Sequence, residues 1–385
     1  MSPLAQKHCV VVTCFDKNQP GFLDFSYRIA SLAKEYQLTV VSLNEITQPE
    51  LIFENVNYRV FKVGEGKLGW MTYLVKCAIF IHQKKPDIIV LLHSAAAPIT
   101  LLVGDVPSCL YWNEHPTNLV HLPGSFSPIR RMFALLFQRL VVIGAKHASS
   151  VMPISEDHRD DLLNNGIEPS KIHMIYMGVS DQFILVDSNK AMLGQPLRLM
   201  YIGTVSKARG RDVMLEAMAL LDKSNKNVHL TIVGANDEQI KFCENRIVEL
   251  DIKDYVSVLA RVPGSQIPNY LTQADVGICL WESNSWNEYN PPTKLFEYLV
   301  AGIPVLASDI RTHTRYVSDL KNGLIFEYDA PSLAKAITKL IVNKNLFQSL
   351  KQHAKQSGQQ YLWSKIQPIY LDVVRNLIIN RVTCT

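Results

Sequence analysis

Short runs of β-branched and aromatic residues alternate, through the first half of the chain, with longer runs whose apolar positions recur every three or four residues. Cys9 to Thr13 reads as a strand, Phe25 to Gln37 as a helix and Leu38 to Leu43 as a second strand. That order is a βαβ unit on a parallel sheet. The pattern predicts a helix over Tyr73 to Lys84, strands over Asp87 to Leu92 and Ser108 to Trp112, a long apolar helix over Pro128 to His147, and a strand over Ser150 to Ile154. From Asp181 to Pro196 periodicity is lost and polar residues gather, as in a linker.

A second alternating series follows, with strands predicted at Leu197 to Ile202, His229 to Val233, Val256 to Leu259, Val276 to Leu280 and Pro304 to Ala307. Gly210 to Asp222 places Val213, Ala217, Leu220 and Leu221 on one helical face, with Asp212 as the expected N-cap, and Pro331 to Val342 repeats the arrangement. The fold class is therefore α/β: two Rossmann-like doubly wound domains, whose ligand-binding strand ends are expected to face each other across a cleft. Residues 1–185 form the first domain and residues 186–360 the second. Residues 361–385 are expected to be a helix that packs back on the first.

A chain of 385 residues exceeds one comfortable hydrophobic core, which agrees with two domains. Its net charge of +4 is too small to mark a nucleic-acid binder. Cys9, Cys14, Cys77, Cys109 and Cys279, five of seven cysteines, sit in apolar runs without the paired spacing of a zinc site, so they read as reduced core residues of a cytoplasmic protein. Met1 to His8 lacks the apolar core of a signal peptide. Ile88 to Val103 is the most membrane-like stretch, but His93 and Pro98 favour a buried strand and a short helix.

Candidate chemistry lies after the strands. The loop Phe15 to Phe22, with Gly21, precedes a helix whose N-terminal amides attract phosphate, and equally suits a plain βα turn. Neither domain opens with Gly-x-Gly-x-x-Gly, which argues against a nicotinamide dehydrogenase. Gly203, Thr204, Lys207, Arg209 and Arg211 set cations around a strand end, where they either hold a diphosphate or lie in solvent. Pro291 and Pro292 pre-set a helix that Gly302-Ile303-Pro304 ends. Glu297, one turn inside it, is either a structural ion-pair partner or the acceptor for a diol such as ribose.

Taken together, Tyr201-Ile202-Gly203 with Arg209-Gly210, and Pro292-Thr293-Lys294-Leu295-Phe296-Glu297-Tyr298-Leu299 with Gly302-Ile303-Pro304-Val305, resemble the GT-B glycosyltransferases of family 4. The resemblance is strongest from Leu197 to Asp329. It implies a nucleotide-sugar co-substrate, UDP- or GDP-linked, no other cofactor, no metal, and usually retention. It gives Glu297 the ribose, Thr293 and Lys294 the diphosphate, and Arg209 with Lys207 its neutralisation. Arg261 and Val262 end the segment matching the one that reads the nucleobase. Pro292 opens the donor helix. Two positions depart from the family: Tyr289, beside Glu288, stands where a glutamate usually meets the donor sugar, and Thr204 replaces an arginine.

In the first domain, Glu114 and His115 follow a strand and loosely match the family's polar position near the acceptor, with His93-Ser94 a further pair. A structural role for the histidine competes. The helix Ile129 to Val142 mixes aromatics with three arginines, which suits either core packing or an anionic lipid surface, and Trp70 to Tyr73 near Lys67 is a second surface anchor. The expected reaction moves a sugar to a glycan or lipid-linked acceptor, in surface polysaccharide or glycoconjugate synthesis, in the cytoplasm or at the inner face of a membrane. A sugar-nucleotide epimerase and a non-catalytic glycan-binding or partner subunit are the alternatives.

Overall fold

The computed structural model describes residues 7–14, 22–47, 51–116, 128–184, 196–221, 227–284 and 286–384. Gly21 lies outside them. The chain divides into two units, one comprising Met1–Gly178 with Trp363–Thr385 and the other Val179–Leu362.

In the first unit, strands β1 (His8–Val12), β2 (Gln37–Ser42), β3 (Val56–Val60), β4 (Ile88–Leu91), β5 (Ser108–Trp112) and β6 (Ser150–Pro153) form one sheet in the order β3-β2-β1-β4-β5-β6. Every pairing is parallel. Alternation along β1 sends Cys9 and Val11 to one apolar cluster and Val10 and Val12 to the other, so the sheet is buried on both faces. The helix Trp363–Cys384 brings Trp363, Tyr370 and Val374 to the first of these clusters. That packing surrounds a buried ion pair. Arg28 donates to Asp24 at 3.0 Å, Tyr111 Oη donates to Asp24 at 2.5 Å, and the guanidinium lies 3.8 Å from the Tyr111 ring centroid and 5.0 Å from that of Tyr370.

The second unit repeats the plan with β7 (Leu197–Ile202), β8 (Val228–Ala235), β9 (Val256–Ala260), β10 (Val276–Cys279), β11 (Val305–Ser308) and β12 (Gly323–Phe326), ordered β12-β11-β10-β7-β8-β9 and all parallel. Numbered within the unit this is 3-2-1-4-5-6, the doubly wound order in which the connections reverse direction between first and fourth strands. The helix Arg211–Leu220 is capped by Gly210 at φ +76°, not by Asp212. Asp212 falls in the first turn and accepts from Arg211 Nε at 2.7 Å. Gly210 has no alternative: a Cβ there would meet Leu280 Cγ at 2.3 Å.

Candidate functional site

The reversal in the second unit falls between β7 and β10, and their C-terminal ends carry the residues the sequence singled out. Helix Thr293–Val300 is set against them by Tyr298. Its ring covers Gly277 of β10, where a Cβ would approach to 2.5 Å, and its hydroxyl donates to Met200 O at 3.1 Å and accepts from Ile202 N at 3.0 Å. Leu295, Phe296 and Leu299 are fully buried beside it. Each such side chain contributes about 1.5–3 kcal/mol relative to exposure. One turn before Tyr298 on the same face, Lys294 is thereby carried under the end of β7. Its Nζ lies 3.7 Å from the Tyr201 ring centroid and would be 3.1 Å from a Cβ at Gly203, whose φ is +136°.

Lys294 is 8% exposed, and among the described residues no carboxylate lies within ion-pair distance of it. Burial, with Arg209 nearby, lowers its pKa to about 8. Glu297, one turn along, is pushed up to about 7 by loss of hydration, which Lys294 partly opposes. Arg209 is held by aromatic faces. Its guanidinium carbon is 4.0 Å from the Trp281 ring centroid and 5.1 Å from that of Trp286, and the two indoles stack at 5.9 Å. Burial lowers its pKa as well. Among the described residues, Arg209 Nη1, Trp281 Nε1 and Trp286 Nε1 are buried donors without a hydrogen-bond acceptor. Leaving such groups unsatisfied is costly unless a ligand supplies the acceptor.

Behind Trp281 the contacts are complete. Ser308 Oγ accepts from Trp281 N at 3.0 Å, and His313 bridges Ser308 and Cys279 Sγ, the latter at 3.4 Å. Burial lowers the His313 pKa to about 3, so this imidazole is neutral and structural.

The other sequence candidates of this unit make local contacts. Thr204 is exposed, and its carbonyl accepts from Tyr201 Oη at 2.7 Å; the exposed Lys207 accepts from Tyr328 Oη through its carbonyl at 3.1 Å. Pro292 occupies the N-cap of the helix Thr293–Val300, and no side chain caps that end. Thr293 is the first helical residue. Arg261 donates its amide to Ala235 O at 3.1 Å, leaving its side chain exposed beside the half-buried Val262. Glu288 accepts from Ser283 Oγ at 2.6 Å and from Arg311 N at 3.1 Å, while Tyr289 faces the Arg311 guanidinium at 5.4 Å. Trp281 and Trp286 were not singled out in the sequence. The available signal was an aromatic pair directly after a buried strand.

In the first unit, Glu114 and His115 follow β5, as read. His93 Nδ1 accepts from Ala95 N at 3.0 Å, so Nε2 carries its proton toward Glu114 Oε2 at 3.2 Å. His115 Nε2 faces Asp161 Oδ2 at 3.0 Å, and its ring stacks on His158 with centroids 6.0 Å apart. Two histidine–carboxylate pairs thus lie at the ends of β4 and β5. Among the described residues no group of three or more His, Cys, Asp or Glu could hold a metal ion.

The fold and this site define a class: two dinucleotide-type units, the second with a cationic centre at the strand ends where nucleotide phosphates bind in such sheets. Residues 187–357 match the family model described as glycosyl transferases group 1, and residues 29–183 match that of glycosyltransferase family 4. The two matches together span most of the chain, and its fold is that of the GT-B glycosyltransferases. It is 26% identical over 192 residues to the amylovoran biosynthesis glycosyltransferase AmsK of Erwinia amylovora, covering 49% of this chain and 47% of that one. The chain spans about half the length of the first curated relatives it matches. Over 322 residues it is 20% identical to the capsular polysaccharide biosynthesis glycosyltransferase CapM of Staphylococcus aureus, covering 77% of this chain and 80% of CapM. Among solved structures, HepE of Anabaena in complex with UDP superposes with a TM-score of 0.74 at 16% identity, covering 95% of this chain and 99% of HepE.

Proposed function

We propose that this chain transfers a sugar from a UDP- or GDP-linked donor to a hydroxyl of a glycan or lipid-linked acceptor, with retention of configuration and without a resident metal ion. The setting is surface polysaccharide or glycoconjugate synthesis in the cytoplasm, with peripheral contact at the inner face of a membrane. The observation that carries this reading is the pair of cations at the end of β7, the half-buried Arg209 and the buried Lys294, with no carboxylate within ion-pair distance of either among the described residues. A nucleoside diphosphate supplies the missing charge. The relatives named for polysaccharide synthesis and the UDP complex of HepE support the same class.

In this reading residues 186–360 bind the donor and residues 1–185 the acceptor. Glu297 accepts the ribose diol, and Arg261 and Val262 line the base. Gly203, Thr204, Lys207, Pro292 and Thr293 surround the diphosphate, while Glu288 and Tyr289 stand near the sugar. The bond between the anomeric carbon and the diphosphate oxygen breaks, and the acceptor oxygen bonds to the same face of that carbon. The acceptor's proton passes to a departing diphosphate oxygen. Arg209 and Lys294 stabilise the charge that develops there. Glu114 and His115 orient the acceptor.

Calorimetric titration with UDP, GDP and their glucose conjugates, in the presence of a chelator, tests the reading. Saturable binding of one nucleotide is expected; no binding of any would overturn it. Glu297→Gln is expected to weaken that nucleotide by about 1.5–3 kcal/mol. The same variant should be at least as stable as the parent at pH 8. Because burial raises the Glu297 pKa to about 7, its contribution to stability is complete below the unfolded value of 4.5 and is lost as pH rises through 7. A lower Tm with unchanged affinity would assign Glu297 a purely structural role.

A further inference from the structure

The helices Gly66–Lys84 and Pro128–His147 are apolar on two faces. Inner residues such as Tyr73, Cys77 and Ile81 on the first, and Ala134, Val141 and Ala145 on the second, pack into the unit. The two helices are joined where the Trp70 and Phe137 rings meet, with centroids 4.0 Å apart. Outward, Leu68, Met71, Ile79, Met132, Leu136 and Ile143 are between 45% and 80% exposed. A helix that is hydrophobic on its solvent side as well as its core side has something to bind there.

The polar residues of this face share one sign. Neither helix contains an aspartate or glutamate, while seven lysines and arginines lie along them. Lys67, Lys76, Arg131, Arg139 and Lys146 are exposed. We propose that this two-helix face docks on a bilayer surface carrying anionic headgroups. The exposed apolar side chains enter the boundary between headgroups and acyl chains, and the cations meet the phosphates. A second copy of the chain is a poor occupant, since a two-fold contact would set these cations against themselves. The inference deepens the membrane side of the function proposed above, and its test is separable from nucleotide binding.

The test is flotation of the full chain with vesicles of phosphatidylcholine, with and without phosphatidylglycerol. Binding is expected on the anionic vesicles and should weaken with added salt. Arg131→Gln with Arg139→Gln should lower partitioning about fivefold for each charge removed. Met71→Gln with Leu136→Gln should lower it as well, with melting and nucleotide affinity unchanged, because all four side chains are exposed. Equal binding to neutral vesicles, no binding to anionic ones, or variants that bind like the parent would overturn the proposal. So would a concentration-dependent dimer, without vesicle binding, that the Met71 and Leu136 changes dissolve. Vesicle binding by a chain that takes no nucleotide would keep the docking face and reject the glycosyl-transfer reading.

Discussion

Replacing Lys294 by Met is expected to raise the Tm while reducing nucleotide affinity by about 2–3 kcal/mol, the range for a charge-assisted hydrogen bond. The stabilisation follows from where the ammonium sits, 8% exposed against an aromatic face, with no carboxylate within ion-pair distance among the described residues. Burial lowers its pKa from 10.5 to about 8. The sign is that of a depressed base: the native state binds the proton less tightly than the unfolded chain, so stability rises with pH from 8 to 10.5. Below pH 8 the full cost is present, on the order of 3 kcal/mol. Methionine fills similar space without that cost. In the parent, nucleotide affinity should fall as pH rises above 8, where free Lys294 loses its proton, and this fall should be absent in Lys294→Met. Thermal melts and calorimetry across that pH range check both halves. A lower Tm at neutral pH together with unchanged affinity would place Lys294 outside the nucleotide site.

Arg209→Ala is expected to reduce turnover about 10²–10³-fold, with a smaller loss in donor binding, because fixed donors count most where charge develops in the transition state. The guanidinium is already placed: Trp281 and Trp286 hold it, and among the described residues its Nη1 has no acceptor to give up before a ligand could bind. Arg209→Lys should restore only part of the activity. Its ammonium is a point charge that cannot present the planar fork lying against the two indoles. Kinetic constants at saturating acceptor decide the matter. If turnover were unchanged and only the donor KM rose, Arg209 would hold substrate without acting on the departing group.

Strands buried on both faces write their nature into the sequence, and β1, β4, β5, β7 and β10 were legible as apolar runs. Two of the four edge strands, β3 and β12, were not, although β6 and β9 at the opposite edges were read. Val56–Val60 alternates between buried and exposed positions, with Asn57 and Arg59 pointing outward, and Gly323–Phe326 is only four residues long. Both take their identity from pairing with a neighbour, which is a property of the sheet and not of the segment. At the candidate site, Glu297 was singled out by its place one turn inside an apolar helix and Lys294 by the family resemblance. The aromatic support of Arg209 was not, because it depends on β10 ending beside the turn at Gly210. Arg28 is a further case: no spacing on its own helix shows that residues almost a whole chain length away bury it fully against Asp24.

That distance has a consequence for synthesis on the ribosome. The unit Val179–Leu362 is one continuous segment and has all its strands as soon as it emerges. The other unit has all its strands by Pro153 but not its whole core, for Trp363, Tyr370 and Val374 are made only after the second unit. At about 5–20 residues per second, translation of the intervening stretch leaves Arg28 and the first sheet waiting roughly 10–40 s for the helix that covers them. During that interval one apolar face of the early sheet is covered only in part, by Phe25, Ile29 and Leu32 of the helix Phe22–Ala33. The half of the protein made first is therefore the half that finishes second, and it is where a nascent chain needs chaperone cover.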